Sequence, residues 1–339
     1  MYATAEGTRR YVGRHEEYRK TGFYRTIFDL QVSTLGIGTY LGDTGEAADR
    51  SYVQALICAG KGGVNFFDTA INYRNQASER AIGTALKQLQ RDEIVVSTKA
   101  GFLTPGAVPE FLTREDMAGG MHSMEPRFLT DQIERSRANL GVDTIDIFYL
   151  HNPETQLGYV PRAVFEERLR RAFAELERLA DEEKIRWYGA ATWDGFRKAG
   201  MLDLPRMAAI AAEEGGAANR FRFIQLPFNL AMVEAYTGQP APRGEPKETV
   251  LAQAARLGIA AVASATLLQT RVLEQMPEAV ADLLPGFETA AQRAIQFTRS
   301  TPGIAVALVG MGRPQHVKEN LEVARRPPAT AEEYQRLYQ

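Results

Sequence analysis

Eight times along this chain, a short apolar run of strand length gives way to a longer stretch with helical spacing. Strands joined by helix-length connections cannot form tight hairpins, so each returns parallel to the last, and the pattern reads as a parallel α/β fold. The runs end at Gly38, Asp68, Lys99, His151, Ala190, Leu226, Ala263 and Val309. Among the intervening helical stretches are Glu46 to Cys58, Leu129 to Leu140, Phe165 to Glu183 and Glu248 to Leu257, with a last one opening at Arg313-Pro314. Phe173, Leu176 and Leu179 fall on one face of an otherwise charged segment, the mark of a helix laid over a sheet. Folds of this class place their working groups at the carboxyl ends of the strands.

The strand end at Asp68 is the most informative. Val64 to Phe67 stops at Asp68-Thr69-Ala70, a loop delivers Tyr73, and Ser78-Glu79 opens a helix with Ala81, Ile82, Ala85 and Leu86 on one face. On this stretch alone, a capping Asp68 and a packing Tyr73 explain as much as chemistry does. Two further strand ends change the balance, because Ile94 to Thr98 leads into Lys99 and Ile145 to Leu150 leads into His151. Four polar groups of these types would be a costly way merely to close the end of a sheet.

The segments Leu35 to Tyr40, Gly63 to Leu86, Ser97 to Lys99, Tyr149 to Pro153, Gln225 to Leu230 and Gly310 to Leu321 together resemble the aldo-keto reductases. They follow that family's order, and the Gly63–Leu86 block is highly specific. The resemblance implies a (β/α)8 barrel with an N-terminal β-hairpin, here Tyr24 to Phe28 and Gln31 to Ser33, plugging its bottom. Two long loops, 101–126 and 231–247, would leave the C-terminal face of such a barrel and wall the substrate pocket, a mobile surface excursion being the other reading of the first. It gives Tyr73 the role of proton donor, makes Lys99 and Asp68 the pair that tunes it, and makes His151 the group that orients a carbonyl. A free tyrosine titrates at about 10, and an ammonium within about 4–6 Å lowers that value. Hydride must come from a nicotinamide, since no side chain donates it. The expected cofactor is NADPH, with NADH as the alternative. The resemblance points to Gly38, Thr39 and Tyr40 at the first strand end and to Gln225 and the Gly189–Trp193 segment for the carboxamide. It points to Gly310, Gly312, Arg313, His316 and Asn320 for the adenosine end, with Arg313 on a 2′-phosphate.

Three positions depart from the family pattern. Ala191-Thr192 replaces a Ser-Asn pair and leaves Thr192 facing the carboxamide. Ser264 stands where an aromatic commonly stacks, and Gly310 and His316 occupy positions that often carry Lys and Arg.

A barrel of this type needs about 250 residues, so 339 residues accommodate one barrel (23–339) and an N-terminal arm (1–22), polar and basic, with little structure of its own. A net charge of −2 with mixed signs argues against nucleic acid and anionic membrane surfaces as partners. One cysteine, Cys58, precludes an intramolecular disulfide. No run reaches the roughly 20 apolar residues of a membrane helix, and the first residues lack a signal-peptide core, which suits a cytoplasmic enzyme. The expected partner is a small carbonyl substrate, a second copy of the chain remaining open, with no metal site. Glu79 and Arg80 read as a solvated helix face, and Asn65 and Thr69 as backbone-bonding residues. Two other functions are compatible with these residues: a cofactor-binding sensor with little turnover, and a net non-redox reaction with retained nicotinamide, such as epimerisation.

Overall fold

The computed structural model describes residues 1–238, 248–274, 280 and 286–338. The chain opens with two helices, α1 (Ala5–Arg14) and α2 (Glu16–Lys20), then a hairpin of β1 (Tyr24–Ile27) and β2 (Leu30–Ser33). Next come β3 (Leu35–Gly38), α3 (Glu46–Gly62), β4 (Phe66–Asp68), α4 (Ala77–Leu86) and β5 (Val95–Ala100). An insert carrying β6 (Met117–Ala118) and β7 (His122–Ser123) precedes α5 (Pro126–Leu140), β8 (Ile145–His151), α6 (Arg162–Asp181) and β9 (Ile185–Ala191). The rest runs α7 (Leu204–Gly215), β10 (Phe221–Pro227), α8 (Glu234–Thr237), α9 (Val250–Arg256), β11 (Ala260–Ser264), α10 (Arg271–Glu274), α11 (Ala290–Ser300), β12 (Ile304–Gly310), α12 (Pro314–Leu321) and α13 (Ala331–Gln335).

Eight parallel strands close into a barrel in chain order, β3-β4-β5-β8-β9-β10-β11-β12, with β12 pairing back onto β3. This is the expected (β/α)8 barrel. Alternation along each strand sends one set of side chains inward and the other beneath the helices. Along β8, Ile147 and Tyr149 join the interior cluster with Phe66, Val95, Phe223, Val262 and Val306, while Phe148 and Leu150 pack in the outer layer. The same alternation carries His151 inward at the mouth. Register does the rest: Lys99 lies opposite Tyr149, Asp68 opposite Ser97, and Gly38 opposite Asp68. Strand contact is close enough to demand glycine at 189, where a Cβ would fall 2.0 Å from the Phe223 carbonyl oxygen.

The hairpin plugs the bottom as expected. Ile27, Leu30 and Val32 enter the interior cluster, and Phe28 packs 5.3 Å from Trp187 and 5.5 Å from Phe223. Residues 1–22, in contrast, are not an unstructured arm. Thr4 caps α1 through its hydroxyl, Tyr11 and Val12 are buried, and the Tyr11 hydroxyl donates to the Gly60 carbonyl at 2.7 Å. Arg10 and Arg14 pair with Glu93, which fixes α1 against the barrel. The 101–126 insert is also more ordered than a plain loop. Its hairpin pairs Met117 with Ser123, and Phe102 bridges to His122. Of the 231–247 insert, residues 239–247 lie outside the described residues.

Candidate active site

All four residues singled out as catalytic stand at the carboxyl mouth of the barrel, and two of them, Asp68 and Lys99, belong to one bonded network. Lys99 is fully buried; its ammonium donates to Asp68 Oδ2 at 2.7 Å and to the Thr69 carbonyl at 2.6 Å. Asp68 Oδ1 accepts from Ser97 Oγ at 2.7 Å and from Gln225 Nε2 at 2.9 Å. The carboxylate therefore meets three donors, which fixes its plane and through it the lysine. After β4 ends, Thr69 and Ile71 keep bonding to β5 through the Ser97 and Lys99 carbonyls, so the loop climbs alongside the lysine before turning at Tyr73. The Tyr73 ring lies 4.8 Å from the Lys99 ammonium, 5.7 Å from the His151 ring and 4.9 Å from Tyr40.

Three consecutive left-handed residues, Arg74, Asn75 and Gln76 (φ 49°, 51° and 70°), follow Tyr73. Such backbone costs of order 1–3 kcal/mol per residue and persists only where the surroundings hold it. Arg74 supplies the hold: its buried guanidinium donates to the Asp43 carbonyl at 2.8 Å, pairs with Asp49 and lies 4.8 Å from the Tyr52 ring centre.

Burial pushes the Tyr73 phenol well above its ordinary value, with Asp68 and Tyr40 adding to the effect. This reverses the expectation that Lys99 would lower it. Asp68 sits 2.7 Å from the ammonium and largely cancels its field, so desolvation decides. Burial likewise lowers Lys99, against the pull of Asp68. His151 is driven well below the usual imidazole range by burial, then by Lys99 and His122, so it is neutral at physiological pH. The mouth thus holds a protonated phenol beside a neutral imidazole.

Behind these groups, Glu79 is not on a solvated face. It is fully buried, accepts from Thr98 Oγ1 at 2.7 Å and Asn139 Nδ2 at 2.8 Å, and burial pushes its carboxyl up. Arg80 is exposed, and Asn65 bonds backbone at Ser33, Gln31 and Glu93, both as expected. Sequence reasoning missed Arg74, Glu154, whose Oε1 accepts from the Trp193, Asp194 and Gly195 amides, and His122, whose Nε2 bonds the His151 carbonyl. The signal for Glu154 and Arg74 was adjacency to His151 and Tyr73; for His122 it was a histidine inside the insert after Lys99.

The residues expected to hold a cofactor divide into two groups. Thr39 is buried beside Asp68 and donates to its carbonyl at 3.1 Å, next to Gly38; Tyr40 is 56% exposed and lies against Tyr73. Gln225 is already committed through its amide to Asp68, and Thr192 bonds the Gln225 carbonyl through its amide at 2.8 Å. Ser264 stands half-buried at the end of β11. The second group lies beyond β12. Gly310 opens onto free space, the Gly312 carbonyl accepts from Ser51 Oγ at 2.7 Å, Arg313 and His316 are exposed, and Asn320 is buried. No hydrogen bond links this group to the catalytic network among the described residues. A nicotinamide dinucleotide fits this arrangement: the buried Tyr149 Oη, Thr69 Oγ1, Asn72 Oδ1, His151 Nδ1 and Thr266 Oγ1 have no partner among the described residues. Most lie at or just past strand ends, where a polar ligand would satisfy them.

A family model described as "Aldo/keto reductase family" matches residues 34–282. The chain is 31% identical over 171 residues to the NADH-specific methylglyoxal reductase of Escherichia coli, an alignment covering 49% of this chain and 50% of that protein. It is 30% identical over 177 residues to a D-threo-aldose 1-dehydrogenase from a Pseudomonas species, covering 47% and 50%. The chain thus spans about half the length of these relatives. Among solved structures, an aldo/keto reductase from Klebsiella pneumoniae in complex with NADP and acetate superposes with a TM-score of 0.66 at 20% identity, over 93% of this chain and 94% of that one. That likeness speaks to the fold. Among the described residues, no helix is long and apolar enough to cross a membrane.

Proposed function

Because this chain belongs to the aldo/keto reductase family, we propose that it reduces an aldehyde or ketone to the alcohol, reversibly, using NADPH with NADH as the alternative donor. The observation that carries this reading is the Tyr73 phenol, held in its protonated form 4.8 Å from the Lys99 ammonium and against the His151 imidazole at 5.7 Å. When bound, the nicotinamide supplies the hydride that no side chain can.

Each residue of the chain then has a definite task. Tyr73 gives its proton to the substrate oxygen as negative charge develops there. The neutral His151 has a nitrogen, Nδ1, without a protein partner, and an imidazole so placed can hydrogen-bond the carbonyl oxygen and orient it. Lys99 stabilises the phenolate left behind, and Asp68 keeps the lysine from swinging away. Gly38, Thr39, Tyr40, Thr192, Gln225 and Ser264 would hold the nicotinamide end. Arg313, at the amino end of α12, suits a 2′-phosphate because helix amides there already favour an anion. The Escherichia coli relative is NADH-specific and the Klebsiella structure holds NADP, so the choice rests on Arg313.

The test is consumption of NADPH and NADH against a panel of aldehydes, ketones and sugar-derived carbonyls, with wild type and Tyr73→Phe in parallel. Phenylalanine keeps the packing and removes the proton, so kcat should fall by about 10²–10⁴ while NADPH still binds. A Tyr73→Phe variant that keeps more than half the wild-type kcat refutes the assignment. NADPH binding without turnover on any carbonyl would favour a sensor.

A further inference from the structure

Resting on the reading of His151 as the residue that orients the substrate carbonyl, we infer that His122 is a positioning residue for it, and that Gln156 and Arg168 fix the tautomer in which it acts. His151 is the last residue of β8, and Asn152 leaves the strand in a left-handed conformation (φ 48°), so the direction of the histidine depends on how this strand end is held. His122, fully buried on β7, places Nε2 at 2.8 Å from the His151 backbone carbonyl. A carbonyl only accepts, so Nε2 carries the proton and Nδ1 must accept. It does: Gln156 Nε2 lies 2.9 Å from His122 Nδ1. The glutamine is oriented in turn by Arg168, which can only donate and which bonds Gln156 Oε1 at 2.5 Å and the Glu115 carbonyl at 2.8 Å. Every donor from the guanidinium inward therefore points toward His151, and bonds aligned in this way strengthen one another. Burial also lowers His122 to about 4, so the ring is neutral and holds a single proton at physiological pH.

The surrounding packing is built for this contact. A Cβ on Gly101 would fall 2.6 Å from both His122 Nε2 and the His151 carbonyl oxygen, so the approach requires glycine. The Ser123 amide bonds the Gly101 carbonyl at 2.8 Å, and the Phe102 ring meets both imidazoles edge-on at 5.2 and 5.3 Å. The insert that follows β5 is thereby clamped to the residue it flanks, and its sequence sets the orientation of His151.

The experiment compares His122→Phe, His122→Gln, Arg168→Met and His151→Phe in this 339-residue chain with NADPH and the best carbonyl from the panel, reading kcat, both KM values and Tm. Phenylalanine keeps a ring and loses the donor, whereas the glutamine amide can reach the carbonyl as Nε2 does. A loss of kcat of about 10- to 100-fold in His122→Phe is expected, with KM for NADPH within twofold and most of the activity recovered in His122→Gln. Arg168→Met should lower kcat by a few-fold without a matching change in NADPH affinity. If His122→Phe does not fold, Arg168→Met decides: a few-fold loss of kcat at unchanged NADPH affinity supports the inference and wild-type kcat overturns it. Wild-type kcat in His122→Phe, or equal losses in the Phe and Gln variants that track Tm, overturns the inference while loss in His151→Phe leaves the underlying reading intact. Full activity in His151→Phe overturns both.

Discussion

Replacing Lys99 by methionine leaves Asp68 as a buried charge without its counterion, and the structure sets the size of the effect. Removing one partner of a buried pair costs about 3–5 kcal/mol. Asp68 keeps its bonds from Ser97 and Gln225, so the lower end applies, about 3 kcal/mol. Unfolding entropy of about 2.1 cal/mol/K per residue over 339 residues amounts to about 0.7 kcal/mol/K, so Tm should fall by about 4 °C. Adding Asp68→Asn removes the orphaned charge and keeps an acceptor for Ser97. Neutral replacements of buried pairs are often no less stable than the pair, so Lys99→Met/Asp68→Asn should return to within about 1 kcal/mol of wild type. Activity should stay lost in both. Thermal melts and NADPH-linked kcat on the two singles and the double complete the cycle. A Lys99→Met protein as stable as wild type, or additive effects in the double, would refute the buried-pair argument. A double variant that recovers turnover would refute the catalytic role.

Other consequences are as direct. Arg313→Ala should raise KM for NADPH by roughly one to two decades, the worth of a charge-assisted contact of about 1.5–3 kcal/mol, and leave KM for NADH nearly unchanged; equal effects on both mean that Arg313 does not read the phosphate. His122 and His151 both have folded-state values depressed below the free imidazole, so the unfolded chain binds more protons as pH drops below about 6.5. Stability is therefore full above that pH and lost as pH falls through the window beneath it, at about 1.4 kcal/mol per pH unit for each histidine. Urea midpoints between pH 7 and 5 test this, and His122→Phe should flatten the slope by one histidine's share; an unchanged slope contradicts it. Gly101→Ala forces a Cβ to within 2.6 Å of two buried polar atoms, so both Tm and kcat should drop, and wild-type values in both would contradict the geometry.

The barrel was legible because its signal is local. Apolar runs end within a residue or two of the observed strands, as at β5, β8 and β12, and the Asp68, Lys99 and His151 strand ends follow from those runs. What escaped has a physical cause in each case. Half of the buried face of α1 is Gly7 and Thr8, which carry little apolar signal beside Tyr11 and Val12. Each strand of the inserted hairpin is two residues long, too short for any period to register. Glu79 looked solvated because a carboxylate on a helix usually is; its burial depends on Thr98 and Asn139, brought there from β5 and α5. The direction of the Tyr73 shift escaped as well, since it turns first on how deeply the phenol is buried and only then on Asp68 and Tyr40.

That shift bears on the protonation state in which the site rests. A phenol held above its ordinary value stays protonated across the physiological range, so the site is loaded for giving a proton. A raised value makes it a weaker acid at rest, yet the acceptor is an oxygen turning into an alkoxide, which is far more basic than a phenolate, so transfer remains downhill. The reverse reaction asks the same residue to take a proton from an alcohol, which requires the phenolate, the form that burial, Asp68 and Tyr40 all disfavour. Lys99, whose charge is shared with Asp68 at 2.7 Å, offsets this in part. The Asp68–Lys99 pair thus does more than hold a lysine in place: by offsetting the nearest positive charge it leaves Tyr73 protonated at rest.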